Sequence, residues 1–139
     1  MIVLDTNGIS EVLRPVPADP VRRWMEMQPT GALFTTTVCE AELKLGAAIL
    51  PQGQRRSELE NAIAVIFLQA FAGRVLTFDR AAAGAYALIG AARRQAGRPI
   101  ATLDAQIAAI ARAHGAAVAT RNVVDFTDCG IDVVDPWQA

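Results

Sequence analysis

The sequence predicts an α/β fold: a central parallel sheet of four to five strands with helices on both faces, built as a single domain spanning residues 1–139. Three observations predict it. Short apolar β-like runs alternate with longer helical segments along the chain, which implies parallel strands joined by right-handed crossovers. No repeat or low-complexity linker interrupts the 139 residues, a length suited to one domain. Hydrophobic residues make up 53% and charged residues 19%, which is enough to bury a sizeable core and too apolar for disorder.

The elements follow in order. Ile2–Leu4 reads as a buried strand ending at Asp5, and about Asn7 to Leu13 as a short helix stopped by Arg14-Pro15-Val16-Pro17. Asp19-Pro20 reads as an N-cap followed by proline at the first helical position, opening a second helix to about Met27. Leu33–Thr36 is a strand. Thr37-Val38-Cys39-Glu40 fits a capping box in which Thr37 and Glu40 satisfy each other's backbone donors, and that helix runs to about Leu50.

Beyond Pro51-Gln52-Gly53, Leu59, Ile63, Ile66, Phe67 and Ala70 recur at helical spacing, predicting one long amphipathic helix from Arg55 to Phe71, closed by Gly73. Val75–Phe78 is a strand, and Asp79 caps a helix that ends near Gly97. Thr102 opens an alanine-rich helix to His114, with Gly115 as its stop. Ala116–Ala119 is another buried strand and Ile131–Val134 a short last one at an edge.

Composition narrows the function classes. No apolar run approaches the ~18 residues of a membrane helix, and Met1-Ile2-Val3-Leu4 carries no basic leader, so a cytoplasmic protein without membrane contact is expected. Cys39 and Cys129 lack metal-ligand spacing and read as reduced core thiols. The net charge of −1 does not favour a polyanionic partner, yet the basic residues are twelve arginines and Lys44, and arginine makes the better forked phosphate contacts. The pairs Arg22-Arg23, Arg55-Arg56 and Arg93-Arg94 read first as solvated helix faces. With 6% aromatics there is little material for a base-stacking platform. Trp24, Phe67, Phe71, Phe78 and Tyr86 stand at core spacing, and His114 suits a helix C-terminus.

In an open parallel sheet, ligands bind beyond the carboxyl ends of the strands. Asp5 stands there at once, with the Thr6 hydroxyl and Asn7 amide beside it; Asp125 lies a few residues past the strand Ala116–Ala119; and Asp104 sits in the first turn of its helix, where the dipole favours an anion. Glu40 and Glu42 lie about 200° apart around a helix and cannot both face the crevice. Glu40 is spoken for by the capping box. Glu42 shares a face with Gly46, where a glycine permits close backbone approach, and is the functional acid of the two.

Four converging carboxylates repel one another by about 1 kcal/mol per close pair in water and about 4 at an effective dielectric of 20. A cation relieves that, and a set without cysteine or histidine selects Mg²⁺ or Mn²⁺. Such a site suits phosphodiester hydrolysis, in which the metal activates water and neutralises the scissile phosphate.

Leu4-Asp5-Thr6-Asn7 with Ile9-Ser10-Glu11, Glu42-Leu43 with Gly46, Asp104-Ala105-Gln106-Ile107-Ala108, and Ala119-Thr120-Arg121-Asn122 through Asp125-Phe126 resemble the four acidic motifs of PIN-domain ribonucleases. More narrowly they are similar to VapC-type toxins of toxin–antitoxin pairs, in the FitB-like subgroup, in order over nearly the whole chain. The resemblance implies a Mg²⁺-dependent endoribonuclease, with Asp5 and Asp104 as principal metal ligands, Glu42 and Asp125 completing the pocket, and Thr6 and Thr120 as supporting polar groups. It also implies a homodimer, inhibition by a cognate VapB-like antitoxin, and promoter DNA bound only through that antitoxin. Gly8 departs from the pattern, in which an apolar residue follows the Asp-Thr-Asn; a helical glycine costs roughly 0.5 to 1 kcal/mol relative to alanine. The arginine pairs, and Lys44 one turn from the pocket, are the expected phosphate contacts.

Rival classes leave traces that can be checked. A phosphoacceptor domain wants paired acids after the first strand and a lysine after a late one, and a haloacid dehalogenase-type phosphatase wants Asp where Asn7 stands. The alternative consistent with all four acids is a non-catalytic PIN-fold module that binds RNA or a protein partner.

Overall fold

In the computed structural model, which describes all residues Met1–Ala139, the apolar runs form five strands. These are β1 (Ile2–Leu4), β2 (Leu33–Thr36), β3 (Val75–Leu76), β4 (Ala117–Ala119) and β5 (Val133–Val134). They make one parallel sheet in the order β3-β2-β1-β4-β5. The register aligns Val3 with Phe34 on one side and Val118 on the other, and Leu4 with Ala119. The chain winds outward from β1 first through β2 and β3, then returns to β4 and β5. The order therefore reverses between β1 and β4, where the crevice of an open parallel sheet lies. The edge strands β3 and β5 are two residues each, shorter than the runs Val75–Phe78 and Ile131–Val134 predict.

Six helices cover the sheet: α1 (Thr6–Leu13), α2 (Asp19–Glu26), α3 (Thr37–Ala48), α4 (Gln54–Val65), α5 (Arg80–Gln95) and α6 (Thr102–Ala113). Alternation along each strand sends side chains to two separate cores. Val3 and Val118 pack with Ile89, Ile107 and Ile110 from α5 and α6. Leu4 and Ala119 face the other way, onto Ile9, Trp24, Ile63 and Phe67. Five consecutive residues of α6, Ile107–Ala111, are buried, so this helix lies enclosed. Its alanines bring it close against α5 while the isoleucines fill volume, each buried one contributing about 1.5–3 kcal/mol. Cys39 and Cys129 are both fully buried and unpaired, as the core reading of two thiols requires.

Several local readings shift. The α2 N-cap is Ala18, whose side chain makes no cap, and Asp19 occupies the first helical position ahead of Pro20. At α3 the cap is Thr36 rather than Thr37. The Thr36 Oγ1 accepts the Cys39 N–H at 3.1 Å, and Glu40 turns to Lys44 Nζ at 2.7 Å instead of closing a capping box. The long helix from Arg55 to Phe71 is α4 followed by a π-turn over Ile66–Ala70, in which the Phe71 N–H reaches the Ile66 carbonyl at 2.9 Å. Asp79 caps α5 as its sequence position predicts, accepting from the Ala82 N–H at 2.9 Å. His114 ends α6, and Gly115 follows in the left-handed region at φ 64°.

Candidate active site

Asp5 leaves β1 and caps α1, so one carboxylate is both the end of a strand and the start of a helix. Its Oδ1 accepts the Gly8 N–H at 2.9 Å, and its Oδ2 accepts the Thr120 hydroxyl at 2.6 Å from the end of β4. The Thr120 Oγ1 in turn accepts the Asn122 N–H at 3.0 Å, which fixes its rotamer. Asp5 is 4% exposed and Thr120 fully buried. Burial raises the Asp5 carboxyl above its ordinary pKa and the Glu42 charge adds to the rise, while the bonds from Thr120 and Gly8 pull the other way.

Glu42 projects from α3 to the same place, where its Oε1 accepts the Thr6 hydroxyl at 2.7 Å. Asp104, half-buried in the first turn of α6, is also raised. Desolvation is the main cause, followed by the charges of Asp125, Glu42 and Asp5, with Arg93 opposing them. Asp125 stands exposed on a short 3₁₀ turn, Val123–Phe126, beyond β4. The structure thus brings Asp5, Glu42, Asp104 and Asp125 to one end of the sheet at the β1/β4 reversal, with Thr6 and Thr120 among them. Glu40 is absent from this group, because the turn of α3 carries it to the Lys44 side.

The donor set is all carboxylate and hydroxyl oxygen, the chemistry a hard divalent cation takes. Burial holds the Asp5 and Asp104 carboxyls up and neighbouring negative charge adds to the rise, a charge that a bound cation would neutralise. No three acidic, histidine or cysteine side chains stand in chelating geometry as they are.

A groove of about 600 Å³ runs from the acids between α1, α3 and α4, lined by Thr6, Arg14, Glu42, Gly46 and Arg55 among others. Two sequence expectations change here. Gly46 makes no close backbone approach, since a Cβ built there meets nothing within 4 Å; it widens the groove instead. Lys44 lines a different cavity with Glu40 and Glu60, so it is not a phosphate contact at this pocket. Other arginines are also engaged elsewhere: Arg22 with Asp19 and Glu26, and Arg56 with Glu60.

Sequence reading missed Arg93. Taken with Arg94 as a solvated pair, it is 5% exposed and bonds the carbonyls of Arg98, Asp125 and Thr127 at 2.7, 2.9 and 3.1 Å. The signal was present: Ala82, Ala85, Ile89 and Arg93 follow one another at helical spacing on the buried face of α5.

The PIN domain family matches residues 2–127. The chain belongs to the PIN-domain family. Relatives similar to this PIN domain over its whole length include plasmid stability protein StbB of Pseudomonas syringae pv. tomato, 43% identical with both chains fully covered. VapC ribonuclease Y4jK of Sinorhizobium fredii is 41% identical and toxin FitB of Neisseria gonorrhoeae 39%, each over 99% of both chains. The solved structure of FitAB bound to an IR36 DNA fragment superposes with a TM-score of 0.90 at 38% identity, covering 99% of this PIN domain and 96% of that chain. Fold and family, in the VapC and FitB branch, are thus as the four acidic motifs imply.

Proposed function

We propose that this PIN domain, one domain over residues 1–139, is a metal-dependent endoribonuclease that hydrolyses RNA phosphodiester bonds and acts as the toxin of a toxin–antitoxin pair. The observation that carries the reading is the convergence of Asp5, Glu42, Asp104 and Asp125 at the sheet reversal, where each of the two raised carboxyls feels its neighbours' charge. The names of the VapC ribonuclease and FitB toxin relatives support it.

Asp5, Asp104 and Asp125 would hold Mg²⁺, for which Mn²⁺ can substitute, with Glu42 completing the acidic set. Held there, a cation would supply an acidified water and neutralise charge on the scissile phosphate. The protein's own part is orientation. Thr120 and Gly8 fix both oxygens of Asp5, and Thr6 fixes one oxygen of Glu42, leaving Glu42 Oε2 to accept a proton from the attacking water. Arg55, which lines the groove and is paired with no acid, would meet a phosphate of the RNA, whereas Arg14 is held by Glu11. The same groove and acids suit an inhibiting VapB-like antitoxin, through which the pair would reach promoter DNA; the similar FitAB is bound to an IR36 DNA fragment. A homodimer in the cytoplasm completes the reading; no helix is long and apolar enough to cross a membrane.

The test is cleavage of a total-RNA pool by purified protein, with Mg²⁺ or Mn²⁺ against EDTA and Asp5→Asn beside wild type. Discrete cuts that need both metal and Asp5 are expected. A folded wild type that binds the ion yet leaves RNA intact supports the non-catalytic module instead.

A further inference from the structure

Arg93 is the only buried cation among the basic side chains. Its hydrogen bonds run to backbone carbonyls of two loops: Nε to Arg98, and Nη1 to Asp125 and Thr127, with Cys129 Sγ 3.8 Å from Nη1. A guanidinium held by neutral carbonyls alone is a costly thing to bury, and a methionine would fill the same space without that cost. What a methionine cannot do is bind two carbonyls of one turn. That turn carries Asp125; its other ties include the buried Phe126 ring, the Asp125 N–H to Asn122 carbonyl bond at 3.0 Å, the Thr127 hydroxyl to Val124 carbonyl bond at 2.9 Å and the Asn122 N–H to Thr120 hydroxyl bond at 3.0 Å, none of which reaches the Asp125 or Thr127 carbonyl. The Arg93 charge also acts on Asp104, where it opposes the acids, so a single side chain touches one acid through its backbone and another through its field.

We propose that Arg93 is a positioning residue of the acidic site: by fixing the carbonyls of Asp125 and Thr127 it sets where the Asp125 carboxylate stands opposite Asp104, and so how tightly the pocket holds a divalent cation. This rests on the metal-dependent reading above. Arg93 itself touches neither ion nor substrate.

The experiment measures Mn²⁺ binding to the metal-free, full-length protein by calorimetry, alongside RNA cleavage kinetics, for wild type, Arg93→Met, Arg93→Lys, Asp125→Asn and the Arg93→Met/Asp125→Asn double variant. Arg93→Met is expected to weaken Mn²⁺ binding about ten- to a hundredfold, the range seen when the support of a metal ligand is removed. It should lower kcat with KM changed by less than about twofold, and add little on top of Asp125→Asn, because both act through one carboxylate. Arg93→Lys keeps the charge but reaches one carbonyl at a time, so its Mn²⁺ affinity should fall between the two.

A folded Arg93→Met protein with lowered melting temperature but wild-type Mn²⁺ affinity overturns the proposal, as do independent, multiplying effects of Arg93→Met and Asp125→Asn. If Arg93→Met does not fold, Arg93→Lys decides, and wild-type Mn²⁺ affinity in that variant overturns it. A wild type that binds Mn²⁺ but cuts no RNA sinks the ribonuclease reading alone, since the binding series still tests Arg93. A wild type that takes up no Mn²⁺ overturns both.

Discussion

The Thr120 hydroxyl donates to Asp5 Oδ2 at 2.6 Å across 115 residues of sequence, joining the end of β4 to the end of β1. The contact closes the point where the strand order reverses, and it leaves the most buried acid of the site with a fixed orientation.

Replacing Thr120 by valine keeps the shape and removes the donor from a buried carboxylate. The expected cost is about 1–3 kcal/mol in urea denaturation, the penalty for stranding a buried acceptor, together with a loss of cleavage. Thr120→Ser should restore most of both.

Asp104 makes the metal-free protein less stable as pH rises. Its folded pKa lies above the ordinary 3.8, first through burial and then through Asp125, Glu42 and Asp5, so the folded state binds the proton more tightly than the unfolded one. The stability that follows is full below the unfolded value and is lost as pH climbs through the folded one. In EDTA at neutral pH, Asp104→Asn should therefore melt higher than wild type, with the gap closing toward pH 3.8. Added Mg²⁺ should stabilise wild type and leave the variant unmoved. A variant less stable than wild type at every pH would contradict the crowding of these charges.

Glu11 behaves in the opposite sense. Its carboxylate accepts the Ala18 N–H at 2.7 Å and then Arg14, which lowers its pKa below 4.5. This stability is present above pH 4.5 and lost as pH falls through the lower folded value. Glu11→Ala should cost about 1–3 kcal/mol at pH 7, and the difference from wild type should shrink in acid titrations followed by circular dichroism.

Gly8 stands inside α1, and a Cβ there would meet Leu4 Cβ and Cδ2 at 3.4 Å and Asp5 Oδ1 at 3.5 Å, ordinary contact distances. Gly8→Ala should accordingly stabilise the protein by roughly 0.5–1 kcal/mol, read as a shift in denaturation midpoint at unchanged slope.

Arg55 faces the groove beside Glu42, whereas Lys44 is paired with Glu40 on another face. Arg55→Ala should raise KM for RNA and reduce the slope of log affinity against log salt by about 0.7, the value for one phosphate contact on a single strand. Lys44→Ala should change neither. Equal effects from the two would remove the groove from the RNA path.

By itself the sequence determined the layer order and the strand and helix segments to within a few residues, and it singled out four acids that the structure brings to one end of the sheet. It could do so because apolar runs, periodicity and position after a strand are local properties of the chain. Helix geometry put Glu42 and Glu40 on different sides of α3, as the structure does, but the two grounds for choosing Glu42, a capping box at Glu40 and a close approach at Gly46, are absent from it. Helix starts were less legible: Thr36 and Thr37 are both good caps, and only the distance to the Cys39 N–H chooses between them. The tertiary structure decided what each acid is bonded to, since Thr6 with Glu42 and Thr120 with Asp5 are meetings across 36 and 115 residues. It also turned Arg93 from one of a surface pair into the clasp of the Asp125 turn. The same arginine on an outward face of α5 would be solvated; facing inward beneath two loops, its donors must find carbonyls, because an unbonded buried guanidinium is too costly to keep.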